Sequence, residues 1–519
     1  MIFYTSGIHR KKRIVCILLM GISLVAMFLL VWHQVNNDRE EGTVTNVRIE
    51  SADEAIRISW DAPFISKVDH VEIRVADHDG NICDTVSVKP QEKSYNFLRG
   101  EMNKAYEVTV SVVYKDGQEE QLASEKRMLL DMDALPDLPV LSITTYSGND
   151  PTATFVEAGD GQVGKTIKDK THEEGVLVYS SSERTVEARI TIEIRGNTSA
   201  VPDKKPYKIT LDRGIDLLDF DGEHSYTEWL LLSSGSSLNN YLGQCGAEYC
   251  GMEWVAEGRS VNVFLNGDWK GLYTLSEPVS RESSHGLVSE NGYIMENDAY
   301  WWNADGIYFK LDDQLSAFGY TFKYPKMDAQ EDGRIEEMRK LLQTFTDLCK
   351  KNDPDTWNYA DMDTFVSWMV THDLMQWADQ AGANSYYYIY DYTSEEEEDR
   401  ILKMGPVWDC DGVANGKDYN GEHGLSKQHY VGINLFVENA DFLEAYQQKW
   451  DELSGGVAPL FQEKLQELYE TEGDALNASR SIDAERWGIS LLRVEDEGNT
   501  FETWINDQVD WMNSYWGNR

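Results

Sequence analysis

The sequence changes its hydrophobic period about two thirds of the way along the chain, and this change limits the folds that it can adopt. Between residues 43 and 313, many short segments alternate apolar and polar residues, as in VEARITIEIRG and RSVNVFLNG. A period of two is typical of half-buried β-strands. From residue 333 onwards, longer segments such as GRIEEMRKLLQTFTDLCKKN indicate helices. Strands followed by helices predict an α+β fold.

The first strand-rich part, residues 43–131, predicts a small all-β sandwich. Its runs VTNVRIES, AIRISWDAP, HVEIRVAD and YEVTVSVVY are separated by turn-forming clusters. Trp60 lies on an early run, and Tyr106 begins the last one, where sandwich domains often carry a tyrosine corner. This part resembles a fibronectin type III or related immunoglobulin-like module. The resemblance implies a spacer or, less often, a ligand-binding module.

The N-terminus predicts a membrane anchor. A basic tail, residues 1–13, precedes an uncharged apolar segment, residues 14–32. Nineteen helical residues span about 28 Å, close to the ~30 Å hydrocarbon core of a bilayer. The positive-inside rule then predicts a single-pass membrane protein with a cytoplasmic N-terminus and an extracytoplasmic bulk. The alternative is a cleaved signal peptide, whose apolar region would be shorter and would end in small residues.

The composition is globular and strongly acidic. Hydrophobic residues make up 41% of the chain, and the net charge of −43 is spread along it. Nucleic-acid binding requires a basic face, and none is visible in the sequence. The six cysteines show no Cys-x-x-Cys or Cys/His metal spacing, so neither a zinc motif nor a disulfide framework is expected.

Two acidic motifs in the helical half indicate phosphoryl transfer. Asp409 and Asp411, in GPVWDCDGVANG, point the same way in an extended chain and suit Mg²⁺ or Mn²⁺. Asp379 and Asn384 lie upstream in QWADQAGANSYYYIYDY. Kinase sites use an Asp to orient the acceptor hydroxyl, then an Asn and a second Asp to hold metal. The alternative interpretation is that these carboxylates cap a helix and a turn.

A basic segment, IRGNTSAVPDKKPYKITLD, stands out in this acidic chain. It contains Arg195, Lys204, Lys205 and Lys208. Phosphate oxygens are commonly bound by Arg or by a strand-borne Lys. The alternative is an edge strand protected by lysines against pairing with another chain.

These segments, with WLLLSSGSSLNNYLG, VNVFLNGDWKGLYTLSEPV and NLFVENADFLEAYQQKWDEL, resemble the spore coat protein H (CotH) kinase family over residues 138–519. The resemblance implies a divergent protein-kinase-like fold that binds ATP with Mg or Mn and phosphorylates Ser or Thr of coat or envelope proteins. By position, Asp379 resembles the catalytic-loop residue, and Asp409 and Asp411 resemble metal ligands. The resemblance also assigns a group of cofactor-binding residues, namely Arg195, Lys205, Glu277 and Asn384.

The sequence therefore predicts a membrane-anchored, extracytoplasmic protein kinase. Its expected partners are a protein with a Ser/Thr acceptor and the membrane, and no nucleic acid. The alternative is a catalytically silent binding, structural or adhesin protein with the same fold, because ATP is scarce outside the cytoplasm. The family's Asp and Arg after WLLL are also absent from SSGSSLNNY. A glycosidase is disfavoured, since Asp409 and Asp411 are too close to flank a sugar ring.

Overall fold

The computed structural model shows a mixed α+β protein with a β-rich first half and a helical C-terminal region, which confirms the predicted fold class. The structure describes residues 43–62, 67–132, 138–159, 162, 164–218, 224–233, 237–305, 307–312, 319–327, 332–376, 384–410, 439–489 and 492–517.

The N-terminal part is a sandwich of two antiparallel sheets. Its strands are β1 (Thr45–Ala52), β2 (Ala55–Asp61), β3 (Val68–Ala76), β4 (Ile82–Val88), β5 (Ser94–Phe97), β6 (Lys104–Tyr114) and β7 (Glu119–Leu129). One sheet has the order β1-β2-β5 and the other β4-β3-β6-β7. The indole nitrogen of Trp60 donates to Pro90 O over 2.9 Å. The Tyr106 hydroxyl accepts from Glu101 N over 2.7 Å, which is the contact of a tyrosine corner.

A closed barrel of seven strands follows. Its members are β8 (Val140–Thr145), β11 (Glu173–Ser180), β12 (Thr185–Ile194), β13 (Tyr207–Ile215), β14 (Tyr226–Leu232), β15 (Gly258–Leu265) and β16 (Asp268–Ser276), while β9 (Ala153–Glu157) and β10 (Lys165–Lys170) form a separate hairpin. The barrel order is β11-β12-β13-β14-β16-β15-β8. Inward-facing residues such as Leu177, Trp229 and Tyr273 fill the interior, so the barrel has a packed core rather than a channel.

A third sheet and the helices complete the structure. The strands are β17 (Tyr293–Asp298), β18 (Tyr308–Phe309), β19 (Gly319–Tyr324), β20 (Ser385–Ile389) and β21 (Lys403–Met404), in the order β18-β19-β17-β20-β21. The described helices are α1 (Ser237–Tyr249), α2 (Asp332–Lys350), α3 (Met362–Met375), α4 (Ala440–Thr471), α5 (Gly473–Trp487) and α6 (Val494–Gly517). One apolar cluster joins α3, α4 and α6 to the sheet.

Helix α3 is the central helix of this C-terminal region. It begins at Asp361, whose carboxylate accepts from the backbone N–H groups of Asp363 and Thr364, as an N-cap does. From Thr364 to its end its residues are buried, which fits an apolar sequence without a polar face. The helix ends at Gln376, which is left-handed with φ 46°. Helix α3 therefore ends, at a buried residue, just before the segment of the sequence that contains Asp379.

The sandwich packs directly on the barrel. Met128 of the sandwich shares an apolar cluster with Phe264 and Trp269 of the barrel and with Ile482 of α5. Beside this cluster is an ionic group that we call the Asp268 cluster, in which Asp268 is surrounded by Arg127, Lys270 and Arg486. The Asp268 carboxylate lies 2.7 Å from Lys270 Nζ, 2.7 Å from Arg486 Nη2 and 3.7 Å from Arg127 Nη1. The buried Asp268 carboxylate thus contacts cations from the sandwich, the barrel and helix α5.

The predicted single-pass membrane localisation is contradicted. In the part of the chain that the structure describes, no helix has both the length and the apolar character needed to cross a bilayer. The segment predicted as the anchor, residues 14–32, lies outside the described residues. The prediction relied on the sequence of that segment and of the basic tail before it, and we withdraw the localisation. The membrane as a partner stays a prediction.

Candidate active site

Glu296 is the centre of a polar network on the third sheet. It lies on β17 directly opposite Tyr386 of β20, so the two side chains share a face. The Tyr386 hydroxyl donates to Glu296 Oε1 over 3.2 Å, and Lys323 Nζ of β19 lies 2.6 Å from Glu296 Oε2. Glu296 is only 7% exposed. A buried carboxylate with these partners holds the Lys323 ammonium in one place.

The charges around Lys323 keep it protonated. Burial lowers the pKa of Lys323, but Glu296 and Asp298 together outweigh this effect and raise it above the ordinary value. The Lys323 side chain remains 37% exposed, so part of it faces solvent although its ammonium pairs with a buried carboxylate. Asp298, at the end of β17, is different: burial first, and then the charge of Glu296, raises its pKa to about 6. The network therefore combines a fixed cation with a carboxyl group that titrates near neutrality.

Arg195 adds a second cation near this network. Its guanidinium lies 5.9 Å from the centre of the Trp408 ring, within the range of a cation–π contact. The pKa values of Lys323 and Tyr386 are both raised overall, and the positive charge of Arg195 acts on both groups in the lowering direction. Arg195 follows directly after β12 of the barrel. The barrel and the third sheet therefore each contribute a cation to one region.

Asn384 connects this network to Asp409. The backbone N–H of Asn384 donates to Glu296 Oε1 over 3.4 Å, and its side-chain Nδ2 lies 3.5 Å from Asp409 Oδ2. Both residues have left-handed backbones, with φ 59° for Asn384 and φ 61° for Asp409. Asn and Asp adopt this conformation more readily than other non-glycine residues, and such positions concentrate at functional sites. The structure thus brings two of the residues chosen from the sequence together.

Two other sequence-predicted residues, Asp379 and Asp411, lie outside the described residues. Gln376 and Asn384 are the described residues that flank the segment of Asp379. The roles assigned to Asp379 and Asp411 stay predictions.

Comparison with known proteins identifies the family. Residues 192–519, more than half of the chain, match the family described as CotH kinase protein. The chain belongs to this family. No curated protein matches it. Membership of the CotH kinase family suggests that the chain is an atypical protein kinase, and kinase-like families use ATP and divalent metal in general.

A solved structure is also similar in part. It is the "Twitchin kinase region from C.elegans (Fn31-NL-kin-CRD-Ig26)", with 10% identity and a TM-score of 0.17, and the match covers 89% of this chain and 81% of that chain.

The basic segment of the CotH region is dispersed in the structure. Lys204 is buried and lies 2.7 Å from Asp483 of α5. Lys205 donates to the carbonyls of Ala200 and Val201 over 2.9 and 3.0 Å, and burial lowers its pKa. The cofactor-binding role of Lys205 stays a prediction, but its ammonium is engaged by the loop that follows Arg195.

The remaining two positions have different surroundings. Lys208 lies 3.2 Å from Glu193 and 3.3 Å from Glu228 on neighbouring barrel strands. Glu277, just after β16, accepts from Glu257 N over 3.0 Å and lies 3.6 Å from His285. These contacts belong to the rim of the barrel, so Glu277 is placed in another polar cluster. Its predicted role at the cofactor stays untested.

Sequence reasoning missed Glu296, Asp298 and Lys323. The signal available was weak: GYIMEND and YTFKYP are apolar strand segments, each with charged residues inside or at the end. A charged residue within an apolar strand is costly unless it is paired. This cost could have marked Glu296 and Lys323, but only the strand order β19-β17-β20 shows that they face each other.

Proposed function

We propose that this CotH-family chain is an atypical protein kinase that transfers the γ-phosphoryl group of ATP to a Ser or Thr hydroxyl of a protein, using Mg²⁺ or Mn²⁺. The observation that carries the proposal is the continuous network from Lys323 through Glu296 and Asn384 to Asp409. Phosphoryl transfer needs fixed cations for the phosphates and oxygen ligands for the metal. Both kinds of group lie side by side in this network.

The residues fit the phosphate groups of a nucleotide. Lys323 is partly exposed and held by Glu296, so its ammonium would bind phosphate oxygens without a large loss of side-chain entropy. Arg195 would supply a second positive charge, and its contact with Trp408 limits where the guanidinium can go. Two fixed cations would stabilise charge that develops during transfer.

The residues also fit a hard divalent cation. The Asp409 carboxylate and the Asn384 side-chain carbonyl are oxygen ligands of the kind that Mg²⁺ and Mn²⁺ prefer. A metal held there would offset the negative charge of the phosphates. Asn384 is itself fixed through its backbone bond to Glu296. The metal ligand and the phosphate-binding cation would therefore keep a constant spacing.

The acceptor hydroxyl requires a further group. By its position in the CotH motif, Asp379 would orient the Ser or Thr hydroxyl and accept its proton, as the catalytic-loop Asp does in protein kinases. We include it in the proposal on the family resemblance and on its place between Gln376 and Asn384 in the chain.

The proposal is tested with the full chain and labelled ATP. Wild-type protein, with Mn²⁺ or Mg²⁺, is expected to label itself or an added protein on Ser or Thr, as read by phosphoamino-acid analysis and mass spectrometry. Asp409→Asn and Lys323→Gln should abolish labelling. Lys326→Gln and Asp212→Asn make the same charge changes at exposed positions, and these control variants should retain labelling.

Two results would contradict the proposal. One is labelling by Asp409→Asn and Lys323→Gln at the wild-type rate. The other is an absence of ATP binding by the folded wild-type chain, measured by calorimetry with Mn²⁺, which would instead indicate a silent binding protein.

A further inference from the structure

A second polar cluster lies at the rim of the barrel and is not used by the proposed kinase chemistry. It consists of His224, Glu277 and His285, each of which brings a ligand atom within 4.8 Å of the other two. The three residues come from separate places in the chain. His224 precedes β14, Glu277 follows β16, and His285 ends the short 3-10 helix Glu282–Ser284. The fold therefore brings the three residues together, and no local sequence motif predicts the cluster.

The distances in the cluster suit ligands of one metal ion better than direct hydrogen bonds. Within the cluster, His285 Nε2 lies 3.6 Å from Glu277 Oε2. Beside it, His224 Nε2 lies 3.5 Å from Oε2 of a fourth residue, Glu257. Hydrogen bonds of this type are usually about 2.7–3.2 Å long. Two atoms bound at ~2.0–2.1 Å to the same tetrahedral zinc ion are roughly 3.4 Å apart. The imidazole and carboxylate atoms thus have a spacing at which both could bind one ion.

Glu277 is incompletely satisfied in its buried position. Its side chain is 0% exposed. Oε2 accepts from Glu257 N. Oε1 is buried and, among the described residues, lacks a hydrogen bond of good geometry, although the Tyr226 hydroxyl acts on this carboxylate as a neutral donor. Leaving a buried carboxylate oxygen without a partner costs free energy. A bound cation would remove this cost.

Among the described residues, the groups that act on Glu257 add negative charge, and no Lys or Arg is among them. Burial, and next the charge of Glu277, raises the pKa of Glu257. Burial and then Glu277 likewise raise the pKa of the Tyr226 hydroxyl. The two imidazole rings lie edge to face, with centroids 5.3 Å apart. Two carboxylates and two imidazoles in one half-buried place are the donor set of a borderline transition metal.

We propose that His224, Glu277 and His285 bind one Zn²⁺ ion, with Glu257 beside His224 as a further carboxylate. Two histidines and one glutamate form a known zinc ligand set, whereas Mg²⁺ prefers oxygen ligands alone. The ion would tie the rim of the barrel to the segment that leads into β17, the strand of Glu296. His285 is 34% exposed at its side chain, which gives the ion a route of entry. The site is independent of the proposed kinase activity.

The experiment uses untagged, metal-free full chain and competition with a fluorescent zinc chelator in excess Mg²⁺. Wild-type protein should take up one equivalent of Zn²⁺. His285→Ala and His224→Ala should each weaken binding at least tenfold. The matched control is His172→Ala, since His172 also pairs with a carboxylate, Glu193, but on a barrel strand. Asp409→Asn serves as the control for the proposed kinase metal site, and both controls should bind as the wild type does.

A second readout keeps the test valid if a variant folds poorly. Co²⁺ bound to the wild type should give the visible absorption of a tetrahedral site, and His285→Cys, which supplies another ligand, should retain a metal-dependent band that His285→Ala lacks. Absence of a zinc equivalent in the wild type would overturn the proposal. So would unchanged affinity in folded His285→Ala and His224→Ala.

Discussion

Lys323 Nζ lies 2.6 Å from Glu296 Oε2 on neighbouring strands of the third sheet. The pair fixes a cation at the surface of the sheet, 37% exposed, with its carboxylate partner buried behind it. Such a pair differs from an ordinary surface salt bridge, which contributes little to stability, because one of its members is withdrawn from water and has two further donors. Its role can be tested with variants that remove the charge of Lys323 and variants that remove only the carboxylate that positions it.

The first prediction concerns this pair. Lys323→Met should lower kcat/KM for ATP about 10²–10³-fold, because it removes a fixed positive charge from the phosphates. Glu296→Gln should have a smaller effect of about 10-fold, since the cation remains but loses its anchor. Lys323→Arg should recover part of the activity. Steady-state kinetics with labelled ATP provides the measurement. Equal activity of Lys323→Met and wild type would exclude Lys323 from nucleotide binding.

The second prediction concerns the metal requirement. Asn384→Ala should raise the Mn²⁺ concentration needed for half-maximal labelling by about 10- to 100-fold. Asp409→Asn should remove the metal response altogether, because a neutral amide replaces the charged ligand. Metal titrations at saturating ATP distinguish the weakened metal response of Asn384→Ala from the absent response of Asp409→Asn. Identical metal titration curves for Asn384→Ala and the wild type would show that the amide does not help to hold the ion.

The third prediction concerns pH and Asp298. Its folded-state pKa is about 6, above the ordinary value of 3.8 for this carboxyl group, so the folded state holds the proton more tightly than the unfolded state does. Stability should therefore decline as pH rises from about 4 to 6 and then level off. Two pKa units correspond to at most about 3 kcal/mol. Asp298→Asn should accordingly be more stable than wild type at pH 7.5 but not at pH 4.

Urea unfolding at several pH values measures this difference. Asp212→Asn, in an exposed pair with Arg213, provides the control, for which we expect no such pH dependence. A wild-type advantage over Asp298→Asn at pH 7.5 would contradict the prediction.

The fourth prediction concerns the Asp268 cluster. Burial raises the pKa of Asp268, but Lys270, Arg127 and Arg486 outweigh burial and lower it below its ordinary value. The stability that ionised Asp268 contributes is therefore present above pH 4 and is lost as pH falls through the lowered pKa. Asp268→Asn leaves three cations without their shared carboxylate, and it should cost about 3–5 kcal/mol at pH 7.

The expected consequence is a weaker attachment of the sandwich to the barrel. Limited proteolysis at pH 7 should cut Asp268→Asn near residues 131–139 faster than the wild type. The difference in unfolding free energy between the two should shrink as pH falls below about 4. Cleavage at the wild-type rate, with unchanged unfolding, would show that the cluster contributes little to the interface.

The hydrophobic period of individual sequence segments predicted the secondary structure well. The run YEVTVSVVY falls within β6 (Lys104–Tyr114), and GRIEEMRKLLQTFTDLCKKN coincides with α2 (Asp332–Lys350) to within two residues. Both segments have a clear period, which depends only on neighbouring residues. The order of strands and helices then sufficed for the fold class.

The candidate site was harder to predict because it depends on strand pairing. Asn384 and Asp409 were found from motif order, but Glu296 and Lys323 meet only through the register of β17 and β19. Conversely, Arg195, Lys204 and Lys205 are close in sequence and were read as one phosphate-binding group. In the structure the three residues have different surroundings. Arg195 lies near the Trp408 ring, Lys204 pairs with the buried Asp483, and Lys205 donates to the carbonyls of a loop.

The pairing of Lys204 with Asp483 has a consequence for how the chain is made. The two residues are 279 positions apart, and the Lys204 side chain is only 7% exposed in the finished structure. During synthesis the barrel strands leave the ribosome long before helix α5 does. Until then, the Lys204 ammonium has the Leu272 carbonyl of the barrel as an acceptor but lacks the Asp483 carboxylate that balances its charge, so we expect the barrel to reach its final packing only when α5 docks. A nascent chain of this protein should therefore depend on helix α5, which is synthesised later, to complete a barrel that is synthesised earlier.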